Sequence, residues 1–138
     1  MSDVVVTMPL SFRYGELKGL EAWASEGDAA GDPDSGDIYC FSVGGMKPNI
    51  QPGERVYVVH NRRLIGYAPL LELEALNDRG TYWGLYRGGN AVAVTVEWAI
   101  PGFQGWRYRW WDSADERPFP GWRQCGQTKL PLFTKEQP

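Results

Sequence analysis

The sequence predicts one α+β domain that is mainly β: a small barrel of about six strands, with one main helix after the first strand. The strongest sign is a pair of strand-length runs rich in β-branched and aromatic residues, 55–60 (Arg-Val-Tyr-Val-Val-His) and 64–70 (Leu-Ile-Gly-Tyr-Ala-Pro-Leu). Asn61 and Arg62 separate them and a Pro52-Gly53 turn leads in, which is the pattern of a β-hairpin. Gly66, inside the second run, marks a bend or a close backbone approach, as at a barrel corner. The chain also lacks internal repeats and strand–helix–strand alternation, which argues against a parallel sheet.

The elements follow in order. Residues 4–8 are a short apolar strand that Pro9 breaks, and Ser11 is placed to cap a helix over residues 12–25. In that helix Leu17, Leu20 and Ala24 share a face with Trp23 beside them. Gly15 and Gly19 each cost it about 1 kcal/mol relative to Ala, so tertiary contacts must hold it, and Gly27 stops it. Residues 28–37 form an acidic loop with Asp28, Asp32, Asp34 and Asp37. Its spacing misses the EF-hand pattern, since Gly36 stands where a ligand belongs and Asp37 where Gly belongs, so it reads as a solvated loop. Residues 38–43 are a strand, and 72–77 a short helical turn or the tail of a long strand. Residues 81–87 and 91–98, joined at Gly88-Gly89-Asn90, read as a second hairpin. There Val92, Val94 and Val96 alternate with Ala93, Thr95 and Glu97, giving one buried and one partly wet face. Residues 105–111 are a final strand, ended by Pro118, Pro120 and Gly121. The domain spans 1–124 and a tail spans 125–138.

The formal net charge of −3 argues against strong nonspecific nucleic-acid binding. The charge is uneven: residues 1–54 hold three Lys/Arg against nine Asp/Glu, and residues 55–138 hold eleven against eight. A local basic surface, almost all arginine, is therefore expected in the second part. Cys40 and Cys125 make no disulfide framework and read as free thiols of a reducing compartment. No run approaches the roughly 18 apolar residues of a membrane span, and the first residues lack the features of a signal peptide. The expectation is a soluble, cytoplasmic protein with no membrane partner. His60, the single histidine, has no Cys or His near it in sequence, so no metal site and no cofactor are expected.

Two passages carry a family resemblance. Gln51-Pro52-Gly53-Glu54-Arg55-Val56-Tyr57-Val58 is similar to the turn-into-strand that opens the barrel of the PUA-like superfamily, in particular its ASCH and EVE relatives. Gly15-Glu16-Leu17-Lys18-Gly19-Leu20-Glu21-Ala22-Trp23 resembles the ASCH motif Gly-x-Lys-x-x-Glu-x-Arg. Lys18 and Glu21 have the family spacing, Gly15 comes one residue early and Trp23 replaces the Arg. The resemblance implies a pseudo-barrel with a cleft near the helix that binds RNA or modified bases in DNA.

The candidate ligand-binding residues are Lys18, Glu21, Trp23, Tyr67, Trp83, Arg107 and Trp110. Trp23 and Trp110 would stack on bases, Lys18 and Arg107 would meet phosphate, and Glu21 would accept from an exocyclic amine. In a strand, Trp106, Tyr108 and Trp110 face one side and Arg107, Arg109 and Trp111 the other. The plainer assignment puts the first set in the core and the arginines on a wet face. The function expected is noncatalytic recognition of RNA or of modified DNA, with an extruded or modified base held among aromatics. Two alternatives stand beside it. Some ASCH relatives are amidohydrolases acting on acylated cytidine, which implies Thr7, Lys18 and Glu21 as a catalytic set, although Glu21 occupies the slot of their Thr. In the tail, Lys129-Leu130-Pro131-Leu132-Phe133 resembles the bacterial sliding-clamp-binding peptide Gln-Leu-x-Leu-Phe, so Leu130, Leu132 and Phe133 either bind a clamp or dock on the barrel's own edge. Arg62 and Arg63, at the hairpin tip, either grip phosphate or serve solubility.

Overall fold

The computed structural model describes residues 2–8, 13–14, 17–18, 39–88 and 91–119, with the backbone alone at 13–14, 17–18 and 39. Its strands are β1 (Val4–Thr7), β2 (Arg13–Tyr14), β3 (Leu17–Lys18), β4 (Tyr39–Gly44), β5 (Arg55–His60), β6 (Arg63–Ala75), β7 (Tyr82–Arg87), β8 (Val94–Thr95), β9 (Trp106–Tyr108) and β10 (Arg117–Pro118). A 3-10 turn, Ser113–Asp115, precedes β10. The main sheet has six strands in the order β4-β7-β6-β5-β1-β9 and curls into a half-barrel, with β8–β10 and β2–β3 as separate two-stranded pairs.

The centre of the sheet is apolar on both faces because β1 and β5 carry no polar alternation. Val4, Val6, Val56 and Val58 enter one core with Phe41, Val43, Ile65, Trp83 and Leu85. Val5, Tyr57 and Val59 enter a second core on the opposite face with Leu64, Val96, Ile100 and Trp111. Strands buried on both sides suit the middle of a sheet and permit parallel pairing. β1 and β5 do pair in parallel, Val4 opposite Val56, and the sheet is mixed, against the expectation of no parallel pairing. Residues 9–54 supply the long crossover that a parallel pair requires.

The β5–β6 hairpin forms where it was expected. Its tip, Asn61 (φ 51°) and Arg62 (φ 66°), is left-handed at both positions, the backbone of a type I′ turn. Next to Gly66 the register slips by one, with Val58 opposite Gly66 but Val59 opposite Leu64. One extra residue reverses the side-chain parity. Leu64 therefore faces the second core, while Ala68 and Leu70, at the same parity, face the first. A second slip falls between Leu70 and Glu72, where β6 leaves β5 and pairs with β7. Residues 72–75 are thus the tail of one long strand rather than a helical turn.

Two further expectations fail. Residues 13–14 and 17–18 pair antiparallel, Arg13 opposite Lys18, where a helix was expected to begin. The two glycines that weaken a helix there remove the local drive for it, and the short ladder supplies backbone hydrogen bonds instead. The rest of that expected helix, the acidic loop 28–37 and the tail 125–138 lie outside the described residues. The second hairpin also fails, because both edges of β7 are taken by β4 and β6. Residues 91–95 reach across instead: Val92 exchanges both backbone hydrogen bonds with Tyr67, and β8 pairs with β10. The valine alternation is broken accordingly, with Val92 exposed and Thr95 buried. Among the described residues no helix is long and apolar enough to cross a membrane.

Candidate functional site

A curled sheet that stops short of closure leaves a seam between its edge strands, here β4 and β9. At one end the seam is shut. Trp106 Nε1, from β9, donates to the Met46 carbonyl, just past β4, at 2.9 Å. Gly105 sits at φ 76°, and a Cβ there would lie 3.3 Å from the Gly44 carbonyl oxygen, so any other residue would be strained and would crowd the approach of the two edges. Farther along, the seam opens into a cleft of about 370 Å³ lined by Thr7, Phe41, Ser42, Val43, Phe103 and Gln104.

Phe103 holds the mouth of this cleft. Its backbone N–H donates to Thr7 Oγ1 at 3.1 Å, which ties the loop to the end of β1. The Arg107 guanidinium lies 4.4 Å from the Phe103 ring centroid, and the Trp110 ring meets the same ring edge-on at 6.3 Å. Trp110 is 50% exposed, a large apolar surface left in water. An indole and a guanidinium gathered on one phenyl ring offer a stacking surface and a phosphate donor together.

The ground beneath Trp110 is built from a partly buried polar network. Trp111, 5.0 Å from Trp110, packs edge-on against Tyr57 at 5.4 Å and donates through Nε1 to Glu116 Oε2 at 2.8 Å. The Tyr57 hydroxyl accepts from Arg55 at 2.9 Å, and Arg55 lies 3.7 Å from Glu116. Burial, then its hydrogen bond to Glu116, pushes the Tyr57 hydroxyl well above the usual tyrosine range. Asp3 ties the same corner to β1 by accepting from the Arg55 backbone N–H at 2.9 Å and lying 3.5 Å from Arg109. Arg109 also donates to the Trp111 carbonyl. This network anchors the backbone on both sides of Trp110, whose ring rests against Phe103 and Trp111.

Of the residues singled out from sequence, Arg107 and Trp110 come together through Phe103. Tyr67 lies on the second face, 5.0 Å from Tyr57 and under the Arg55 guanidinium at 4.2 Å. Trp83 is buried in the first core, and neither residue lines the seam cleft. Lys18 falls in β3, so the helical spacing argued for it does not apply, and its side chain is not described. Glu21, Trp23, Leu130, Leu132 and Phe133 lie outside the described residues. Along residues 105–111 the expected two-sided split holds for Trp106, on the first core, and Trp111, in the second, but not for Trp110, which meets Phe103 and Trp111. The ladder to β1 ends at Tyr108, so strand alternation no longer governs 109–111.

The reading from sequence missed Phe103. Its only local signal is an aromatic bracketed by Pro101-Gly102 and Gly105 in an otherwise loose stretch. Among the described residues no group of three or more His, Cys, Asp or Glu is placed to hold a metal ion. His60 is buried with Nδ1 3.2 Å from the Met8 carbonyl. Comparison with family models, with curated proteins and with solved structures found no match in any of the three.

Proposed function

We propose that this chain is a noncatalytic nucleic-acid recognition module, of the PUA-like kind that its sequence resembles, which holds a modified or extruded base at the seam. The observation that carries this reading is the half-exposed Trp110, whose ring meets the Phe103 ring that Arg107 also covers, with Phe103 in turn lining a cleft with Phe41. A cleft of about 370 Å³ is in the range of small-molecule sites, roughly 300–1,000 Å³, and takes one planar base. Trp110 stacks on that base or its neighbour, Arg107 pairs with the adjoining phosphate, and Ser42 and Gln104 supply polar contacts to the base edge.

No observation favours the amidohydrolase alternative. Thr7 Oγ1 accepts the Phe103 N–H and its methyl faces Gly102, which is a structural use of the hydroxyl. The test is a titration with plain and base-modified oligonucleotides, followed by tryptophan fluorescence at about 50 and 200 mM salt. Quenching that saturates and weakens with salt supports the reading. No change with any oligonucleotide removes it.

A further inference from the structure

A second arginine–aromatic surface lies at the tip of the β5–β6 hairpin, at the end of the sheet where Thr7 and Phe103 meet. A groove of about 420 Å³ is lined there by Arg62, Arg63, Thr95, Glu97, Trp98 and Arg117. Trp98 is 43% exposed, and the Ile100 N–H donates to the Arg62 carbonyl at 3.1 Å, which joins its loop to the tip. Arg117 is paired with Glu97 at 2.8 Å. Arg62 and Arg63 are exposed and have no carboxylate partner among the described residues; Arg63 lies over the Phe119 ring at 4.2 Å and donates to Thr95 Oγ1.

The backbone adds an independent sign. Arg62 sits at φ 66°, the second central position of a type I′ turn, where glycine is favoured and a long side chain is strained. A hairpin selected for stability alone would carry glycine at that position; retaining arginine in a strained conformation points to a use for its charge. The connecting segment, 98 to 103, spans at most about 18 Å fully extended, so this groove and the Trp110 surface are within reach of one short strand.

We infer that the hairpin tip is a second subsite that grips the phosphodiester backbone of the same single strand, with Arg62 and Arg63 on phosphates and Trp98 against a base. This rests on the proposed nucleic-acid function. It extends that function from one base to a track of several nucleotides running over 98–103.

The test uses Arg62→Gly, which relieves the turn, and Arg62→Gly with Arg63→Gln. Thermal stability of the single variant should be equal to or above that of the parent. On a twelve-nucleotide strand, each lost phosphate contact should reduce the slope of log affinity against log salt by about 0.7. Affinity for a trinucleotide at the seam should be unchanged. An unchanged slope in both folded variants, while Trp110→Ala still weakens binding, overturns the subsite and leaves the proposed function standing. Failure of the parent protein to bind any strand overturns both.

Discussion

The Arg107 guanidinium rests 4.4 Å from the centre of the Phe103 ring, at the lip of the open seam. The contact joins β9 to the loop before it. It places a cation on the ring that Trp110 also meets without neutralising it, because a ring face attracts charge and leaves the N–H groups free to donate. Replacing Arg107 with Gln should lower oligonucleotide affinity about equally for all sequences and reduce the salt slope by about 0.7. Arg107→Lys should restore the slope but not the full affinity, since a lysine cannot stack on Phe103 while presenting a planar fork. Binding isotherms at several salt concentrations separate the two.

Trp110→Ala should weaken binding by roughly 1–3 kcal/mol, about 5- to 150-fold, the usual value of one base–aromatic stack. Because the ring is half exposed, its removal should alter stability by less than about 1 kcal/mol. Parallel affinity and thermal-melting measurements check that split. A large loss of stability would place Trp110 in the scaffold.

Tyr57→Phe tests the network below the site. It leaves the Glu116 carboxylate, whose side chain is only 7% exposed, one donor short, at a cost of about 1–3 kcal/mol. It should also change the pH dependence. An unfolded tyrosine loses its proton near pH 10, whereas folded Tyr57 holds its proton above that. Above about pH 10 the native state therefore binds more protons than the unfolded one, and stability falls as pH rises; below it the contribution is fully present. Tyr86, pushed up to about 12 mainly by donating to Glu74, acts in the same direction in both proteins. Denaturant melts at pH 8 and near pH 11 should show a smaller alkaline loss in Tyr57→Phe than in the parent.

Arg87 is fully buried at the end of β7 and donates to the Gly88 carbonyl. Arg87→Ala should cost at least about 2 kcal/mol, through a cavity and an acceptor without its donor. Denaturation midpoints measure it.

Cys40 should be a slow thiol. Burial raises its pKa and so lowers the thiolate fraction at neutral pH. In a Cys125→Ser protein, alkylation at pH 8 should be slower than for an unstructured cysteine and should accelerate toward higher pH.

The parts of the fold legible in sequence are those set by neighbours along the chain. Residues 55–60 and 64–70 announce their hairpin by composition, and Gly66 marks the bulge that lets Leu64 and Leu70 serve opposite cores. What is decided across the sheet was not legible. Nothing local to residues 91–98 says that β7 is already paired on both edges, and nothing in Val4–Thr7 chooses a parallel partner. At the site, Arg107 and Trp110 stood out as a basic and aromatic run. Phe103, which brings them together, did not, because its role depends on the Thr7 hydroxyl from the other end of the chain. Trp110, which meets Phe103 and Trp111 instead of following Trp106, shows where a period of two stops applying once the ladder ends at Tyr108.

The most direct test is residue-resolved. With the seven tryptophan indole N–H signals assigned by NMR, a single-stranded oligonucleotide is titrated to saturation. The expected result is a large shift of the Trp110 indole and of the Arg107 side-chain signals, with the buried Trp83 and Trp111 little changed. Saturable binding that leaves the Trp110 indole unmoved, or no binding at all, would contradict a nucleic-acid site at the seam.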